Sequence, residues 1–247
     1  MPETETDLLF LRDAYATSGS ATVVEVVTDG AVVRLALDRT NFYPTGGGQP
    51  CDVGSLSWDG GAAEVVEVRK QGPVVWHTLA DGAPVAEPGT VVTTEIDWDR
   101  RHALMRTHSA LHVLCGVIWN EWSVPVTGGN MEPLAARMDF ELDPTPEGFG
   151  ARVDELVAAE IAADRPIEVS FIPRDDAVLD DALIRTKVSL VPDTVKEVRV
   201  VDIVGLDKQA DGGTHVRSTA EIGRVRVVKT ESKGKGNKRV RIVVEDP

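Results

Sequence analysis

The stretch from Asp97 to Cys115 constrains the fold most, because it is long and contains neither proline nor glycine. Asp97 or Asp99 can cap its start, since a carboxylate accepts hydrogen bonds from the first free amides of a helix. Its apolar residues recur at the three- and four-residue spacing that places side chains on one helical face. These residues are Leu104, Leu111 and Leu114. The stretch therefore predicts a long helix in the middle of the chain.

Two histidines, His108 and His112, stand four residues apart within this predicted helix. Side chains at that spacing lie one above the other, so two imidazoles can bind one metal ion from a single face. Ser109 occupies the position at which zinc proteases of the H-E-x-x-H type carry glutamate, which disfavours peptidase chemistry. The spacing alone also arises by chance, and the pair needs further ligands to predict a site.

A second cluster of possible ligands follows about a hundred residues later. Asp211 and His215 are again four residues apart, but Gly212 and Gly213 lie between them. A glycine pair is typical of a tight turn and not of a helix interior. Two helical and two loop ligands, all nitrogen or oxygen donors, suit zinc. The alternative is an ordinary turn that carries a surface histidine.

Composition excludes several classes of protein. The 247 residues are 42% hydrophobic, yet no apolar run approaches the about 18 residues of a membrane span. The acidic N-terminus lacks the basic and apolar regions of a secretion signal. Cys51 and Cys115 do not make a disulfide framework, so a reducing, cytoplasmic location is expected.

The charge distribution separates the C-terminal end from the rest of the chain. The net charge is −14, but residues 224–247 carry eight basic and three acidic residues, a local charge of +5. A basic end on an acidic protein can bind a polyanion. A solvated hairpin with lysines for solubility explains the same pattern, and charge alone does not separate the two readings.

The chain divides by pattern into two predicted domains. Residues 1–96 read as a small β-barrel-like domain, because short alternating runs are separated by Gly, Pro and Asp. Residues 97–247 interleave helices with strands, which predicts an α+β fold with a two-layer α/β sandwich. Further helices are predicted at 152–163 and 175–184 and a loop at 124–130, and strands are predicted at 136–142, 167–172, 196–203, 222–228 and 239–244.

Asn41 to Gly54 forms a glycine-rich segment inside the first domain. Its three consecutive glycines, 46–48, allow the backbone to approach another surface closely. It lacks the Lys-Ser/Thr of a phosphate-binding P-loop and the glycine spacing of a dinucleotide site. Taken by itself, the segment predicts no more than a complicated turn.

Three motifs in this order resemble a known family. His108-Ser-Ala-Leu-His112, Gly212-Gly-Thr-His-Val216 and Thr219-Ala-Glu-Ile-Gly223 are similar to the editing domain of alanyl-tRNA synthetase and to the freestanding AlaX editing proteins. Phe42-Tyr-Pro-Thr-Gly-Gly-Gly-Gln-Pro50, with Asp52 and Gly54, resembles the glycine-rich motif of the longer AlaX type. The resemblance extends from about residue 20 to residue 244.

The resemblance implies hydrolysis of mischarged tRNA(Ala), chiefly with serine and sometimes with glycine attached. It implies zinc ligands at His108, His112 and His215, with Asp211 in the place of the family's cysteine. Asp211 is then a fourth ligand through oxygen, or a general base for a water at the fourth position of the metal. Both roles remain open from the sequence.

The remaining site predictions concern substrate contacts. Gln209 and Thr214 are predicted beside the reacting ester, with surface and turn-bracing roles as alternatives, and the resemblance implies serine recognition by Gly46, Gly47, Gly48 and Gln49. The phosphates of tRNA are expected on Lys233, Lys235, Lys238 and Arg239, joined by Arg185 and Lys187. Two other functions stay open, a tRNA-binding module without catalysis and a metal-dependent hydrolase of another aminoacyl ester.

Overall fold

The structure is a computed structural model that describes residues 5–177, 183, 196–234 and 236–246. The chain forms two compact units, Met1–His102 and Ala103–Pro247. The domain boundary expected near residue 96 remains a prediction. Within the described ranges, no helix is long and apolar enough to cross a membrane. The helices are α1 (Trp98–Trp122), α2 (Phe149–Ala162) and α3 (Arg174–Ala177).

The first unit contains a closed β-barrel, as its alternating pattern predicts. The barrel has six strands in the order β2-β3-β7-β6-β5-β8, and each neighbouring pair is antiparallel. A short parallel pair, β1 with β4, lies outside it. The strands are β1 (Asp7–Leu8), β2 (Ser18–Asp29), β3 (Val32–Leu37), β4 (Arg39–Thr40), β5 (Gly54–Trp58), β6 (Gly61–Gln71), β7 (Val74–Leu79) and β8 (Val91–Ile96).

Alternation along the strands produces the barrel core. In β8, residues 92, 94 and 96 are buried and their neighbours are exposed, as the two-residue period of a strand requires. Leu35, Leu56 and Val92 are completely buried inside. Gly54 is the first residue of β5. Only glycine fits at this position, because a side chain there would collide with the carbonyl oxygen of Glu95 on β8.

The second unit contains two antiparallel sheets. One has the order β14-β15-β10-β9 and the other β11-β12-β13. Helix α2 packs against β14, where the Asp154 carboxylate accepts a 2.7 Å hydrogen bond from the amide of Val227. The strands are β9 (Val126–Glu132), β10 (Ala135–Phe140), β11 (Ile167–Pro173), β12 (Glu197–Ile203), β13 (Asp207–Ala210), β14 (Arg224–Ser232) and β15 (Lys238–Glu245). The predicted α+β class is confirmed.

Helix α1 is buried on all sides in this unit, whereas its sequence predicts a single apolar face. Every residue from 104 to 118 is buried, because the polar side chains among them find internal partners. Arg106 donates hydrogen bonds to the carbonyls of Ile222 (2.8 Å) and Glu245 (2.7 Å). These bonds tie α1 to the C-terminal strand β15 and to the turn before β14.

Two local predictions differ from the structure. The segment 124–130, predicted as a loop, contains most of strand β9, because backbone bonding to β10 overrides the low strand propensity of glycine. Gly128 lies opposite Asp139 in this pairing. Helix α2 begins at Phe149, three residues before its predicted start. Of the helix predicted at 175–184, α3 covers the first three residues, and most of the remainder lies outside the described residues.

Candidate metal centre

The two predicted ligand clusters meet in the second unit. His108 and His112 lie one turn apart on α1, and the loop after β13 carries Asp211 and His215. One possible ligand atom from each of these four residues lies within 4.8 Å of the others. The rings of His108 and His215 are 4.3 Å apart between centroids, and those of His112 and His215 are 4.8 Å apart. Four ligand atoms at these distances could hold one metal ion.

The Asp211 carboxylate lies against two of the three imidazoles. Its Oδ1 is 2.8 Å from Nε2 of His215, and its Oδ2 is 3.7 Å from Nε2 of His108. The amide of Gly213 donates a 2.7 Å hydrogen bond to Oδ1, and Arg199 donates a 2.8 Å hydrogen bond to the Asp211 carbonyl. The loop therefore fixes both the backbone and the side chain of this residue.

A buried carboxylate orients His112. Oδ2 of Asp207 lies 3.1 Å from Nδ1 of His112 and accepts a 2.6 Å hydrogen bond from the side-chain amide of Gln209. A carboxylate partner fixes the proton on Nδ1 and leaves the Nε2 lone pair for a metal. Asp207 is only 4% exposed, so solvent does not compete for this contact.

His215 has an equivalent support from the helix. Its Nδ1 lies 3.2 Å from the hydroxyl of Ser109, and this hydroxyl also accepts a 3.2 Å hydrogen bond from the amide of Val216. Ser109 thus holds the ring of His215 and the backbone next to it. Ser109, which stands where zinc proteases carry glutamate, therefore supports His215 in this cluster.

The electrostatics of the cluster favour the metal-binding forms of most of its groups. Burial lowers the pKa of His108 to about 4 and the pKa of His215 well below its usual range. Burial also opposes ionisation of Asp211, but the electrostatic interaction with His108 and the hydrogen bond from His215 hold its pKa well below normal. His112 differs, because the hydrogen bond to Asp207 and the charge of Asp211 outweigh burial and raise its pKa. Neutral imidazoles and an ionised carboxylate are the forms that ligate zinc, so the donor set fits that ion.

Two family models match the sequence. "Threonyl and Alanyl tRNA synthetase second additional domain" matches residues 198–241, which include β13 and the ligand loop. "tRNA synthetases class II (A)" matches residues 11–100, which include the barrel.

Full-length relatives decide the family. The alanyl-tRNA editing protein AlaX-M of Methanosarcina barkeri is 37% identical over 246 residues, 98% of this chain and 100% of that protein. AlaX-M of Saccharolobus solfataricus is 34% identical over 244 residues, 97% of this chain and 99% of its own. The chain belongs to the AlaX-M family. It is also 40% identical to alanine–tRNA ligase of Pyrobaculum aerophilum over 232 residues, 90% of this chain but 25% of that ligase.

In this AlaX-M family member, the two residues predicted beside the ester have different surroundings. The Gln209 amide nitrogen is engaged by Asp207 and also lies 3.4 Å from the sulfur of Cys115, so a substrate contact would fall to its Oε1. Thr214 is completely buried. Their substrate contacts remain predictions. Gln209 is more than a surface residue at a strand end, since its amide donates to the buried Asp207.

The glycine-rich segment of this family member forms a tight turn in the first unit. Gly46 and Gln49 exchange two backbone hydrogen bonds of 3.1 and 2.9 Å, while Gly47 and Gly48 adopt φ of +56° and +86°. Consecutive positive φ values define a type I′ turn, which glycine adopts without strain. Gly47 and Gly48 are exposed, whereas Gln49 is completely buried. Serine recognition by this turn stays a prediction.

A fully buried ion pair anchors this turn segment within the first unit. Nε of Arg101 donates 3.0 Å hydrogen bonds to both carboxylate oxygens of Asp52, and the same guanidinium donates to the carbonyls of Asn41 and Ala14. The Asp52 carboxylate also accepts a 2.6 Å bond from the Tyr43 amide. Arg101 therefore holds both ends of the glycine-rich segment.

The basic residues predicted to bind tRNA differ in whether they already form ion pairs within the protein. Lys233 and Arg239 both donate to the buried Asp139, at 2.8 and 2.7 Å, and the hydrogen bond from Arg239 helps lower the pKa of that carboxyl to about 2. Lys238 is half-buried and forms no ion pair with the described residues. Three further predicted bases lie outside the described residues, namely Lys235, Arg185 and Lys187.

Sequence reasoning missed three residues of this site, which are Asp207, Ser109 and Arg199. Asp207 and Gln209 are two apart in a strand and so share a face. Recognition of the short strand β13 would therefore have placed Asp207 beside Gln209. The contact of Ser109 with His215 spans 106 positions of the chain, and no local sequence signal predicts it.

Proposed function

We propose that this protein deacylates mischarged tRNA(Ala), with Ser-tRNA(Ala) as its main substrate. The observation that carries the proposal is the cluster of three histidines and Asp211 around one point. The names and full-length coverage of the AlaX-M relatives support the same reaction. The bond cut is the ester between the amino acid and the ribose of the terminal adenosine.

We further propose zinc as the metal, held by His108, His112, His215 and Asp211. Bound zinc supplies a Lewis acid that polarises the ester carbonyl and lowers the pKa of water. The chain supports this role through two oriented imidazoles, since Asp207 and Ser109 hold the outer nitrogens of His112 and His215.

Asp211 is proposed as the fourth ligand. A pKa held well below its ordinary value makes a carboxylate a weak base, because base efficiency falls as the pKa departs from the working pH. The same ionised oxygen lies against the Nε2 atoms of two histidines, where a shared ion would lie. Both points favour ligation over proton abstraction.

Access to the cluster is proposed from the side of the ligand loop. The Asp211 side chain is 20% exposed, while the side chains of the three histidines are no more than 8% exposed. Gly212 is exposed, and a side chain added to it would meet open space. The ester can therefore approach past Gly212 without displacing an ordered side chain.

Serine selection is proposed to involve the type I′ turn of Gly46 to Gln49. Rejection of alanine requires polar groups that pair with the serine hydroxyl and remain unpaired when it is absent. Gly47 and Gly48 are exposed, so their backbone groups are open to a substrate, and a substrate that covers the turn would exclude the water that otherwise pairs with them. A Gly48→Ala variant, which strains the turn, is expected to reduce the preference for serine over alanine while bound zinc is unchanged.

Single-turnover deacylation tests the proposal. Purified protein with its metal content measured is mixed in excess with Ser-tRNA(Ala) or Ala-tRNA(Ala), and the rate of amino-acid release is followed. We expect rapid loss of serine, slow loss of alanine and about one zinc per chain. Binding of tRNA without release of either amino acid would contradict the proposal and favour a tRNA-binding module. Equal hydrolysis of free serine esters would favour a hydrolase of small substrates.

A further inference from the structure

One exposed aromatic side chain shares a sheet face with the metal-binding cluster. Phe171 on the edge strand β11 pairs directly with Arg199 on β12. Asp211 follows Ala210, the partner of Val200, and its amide donates a 3.1 Å hydrogen bond to the carbonyl of Arg199. Residues opposed in antiparallel strands point to the same face. Phe171, Arg199 and Asp211 therefore form one cross-strand row.

Exposure along this row changes abruptly at its outer end. Arg199 is 7% exposed, but Phe171 is 42% exposed. Phe171 is the one aromatic residue among the exposed large apolar side chains of the described residues. Val169, two residues earlier on the same face, is also 42% exposed and extends the apolar surface. Burial on folding does not account for an aromatic ring in this position.

We propose that Phe171 is a substrate-positioning residue that stacks against the terminal adenine of the bound tRNA. This inference rests on the proposed function and names the contact that holds the base while the ester lies at the cluster. Val169 lies under the edge of the same base. Arg199, held by the Asp211 carbonyl, occupies the space between the base and the ligand loop.

The spacing of the row matches the size of the substrate. Adjacent strands are about 4.8 Å apart, so Phe171 lies two strand spacings, or about 10 Å, from Asp211. The ester carbonyl and the base of an aminoacyl-adenosine are separated by a linkage of about six bonds, each about 1.5 Å long. Extended at tetrahedral angles, these bonds span about 7–8 Å, and the width of the stacked base and the length of the Asp211 side chain cover the remaining distance.

The chemistry of the contact suits a protein with this charge. A net charge of −14 repels phosphates at a distance, so an uncharged contact to the last nucleotide adds affinity that salt does not screen. Stacking of a base on an aromatic ring is typically worth about tenfold in affinity or more. It is also independent of the amino acid, which leaves serine selection to other residues.

A double-mutant cycle between protein and RNA tests the proposal. The probe is tRNA(Ala) carrying serine through a non-hydrolysable amide, with either adenine or an abasic residue at its last position. Binding of each probe is measured with the wild type and with Phe171→Ala. We expect loss of the base or loss of the ring to weaken binding about tenfold, and loss of both to weaken it little further.

Matched variants separate stacking from general effects. Phe171→Tyr keeps an aromatic face and is expected to bind within about threefold of the wild type. Val228→Ala removes an apolar side chain that is 51% exposed on β14, and it is expected to leave both binding and the cycle unchanged. Zinc content, measured in all variants, is expected to stay constant.

The outcomes distinguish this inference from the proposed function. If the wild type deacylates Ser-tRNA(Ala) but the two losses simply multiply, the stacking proposal is overturned and the function stands. If the wild type neither binds nor cleaves the tRNA, both fail. If Phe171→Ala instead abolishes self-association in sedimentation and the cycle shows no coupling, the edge of β11 is an interface between copies and the proposal is overturned.

Discussion

At the scale of single residues, the sequence contains the four possible ligands but not their supports. The four-residue spacing of His108 and His112, and the glycine pair before His215, predict a helical and a loop pair, which the structure brings together. The contact of Asp207 with His112 depends on the pairing of β12 with β13. Such a contact depends on strand register, and periodicity in the sequence does not specify it.

Asp207→Asn tests whether this contact orients His112. An amide can present an N–H to Nδ1, which removes the constraint that favours Nε2 as the ligand atom. Zinc affinity, measured by competition with a chelator, is expected to fall about 10- to 100-fold. Asp202→Asn is the control, since Asp202 is a partly exposed residue of β12 that pairs with Lys208. Unchanged zinc affinity in Asp207→Asn would show that the contact is incidental.

At the scale of elements, the alternation of apolar and polar residues predicts the barrel strands well. It fails for strands that are held by backbone pairing and have no alternating side chains. Strand β8 alternates between buried and exposed residues throughout, whereas β9 contains Gly128 and Gly129 and shows no such signal. Helix α1 was predicted with one apolar face, because local sequence does not reveal that Arg106 bonds to carbonyls more than a hundred residues away.

The Arg101–Asp52 pair yields a prediction about the barrel and its glycine-rich turn. Both side chains are fully buried, so Arg101→Met leaves an uncompensated carboxylate. The loss is expected to cost about 3–5 kcal/mol in the free energy of unfolding. Urea unfolding followed by tryptophan fluorescence provides the measurement.

The double variant Arg101→Met, Asp52→Asn is the matched control for this prediction. Because it removes both charges, its loss of stability is expected to be smaller than the sum of the two single losses. Additive losses would indicate that the two side chains contribute independently and that the pair does not anchor the segment as a unit.

At the scale of the whole molecule, charge is concentrated at one end but not freely available there. Residues 224–247 carry a net +5 in a chain of −14, a pattern that suits either a polyanion partner or a solvated hairpin. The structure shows that part of this charge stabilises the fold, since Lys233 and Arg239 both bind Asp139. Composition predicts that this end of the chain is positively charged. The pairing of β10 with β15, which places Asp139 opposite Arg239, is needed to show which basic residues already form ion pairs.

Lys238 and Arg239, neighbouring basic residues of β15, are therefore expected to contribute differently to tRNA binding. Lys238→Ala is predicted to weaken tRNA binding and to reduce the slope of log affinity against log salt by about one. Arg239→Ala is predicted mainly to lower thermal stability, because it removes the bidentate partner of a buried carboxylate. Binding by filter assay at several salt concentrations and melting temperatures measure the two effects. Equal losses of tRNA affinity without a stability difference would contradict this division.

The three histidines and Asp211 are proposed to form one metal site that carries out the deacylation. The most direct test is the zinc dissociation constant of Asp211→Ala, measured in the same samples as its single-turnover rate on Ser-tRNA(Ala). Asp175→Ala, an exposed aspartate of α3, serves as the control. If Asp211 is a ligand, zinc affinity and rate fall together, and added zinc restores part of the rate. Wild-type zinc affinity with a lost rate that zinc does not restore would exclude ligation by Asp211 and identify this residue as a base.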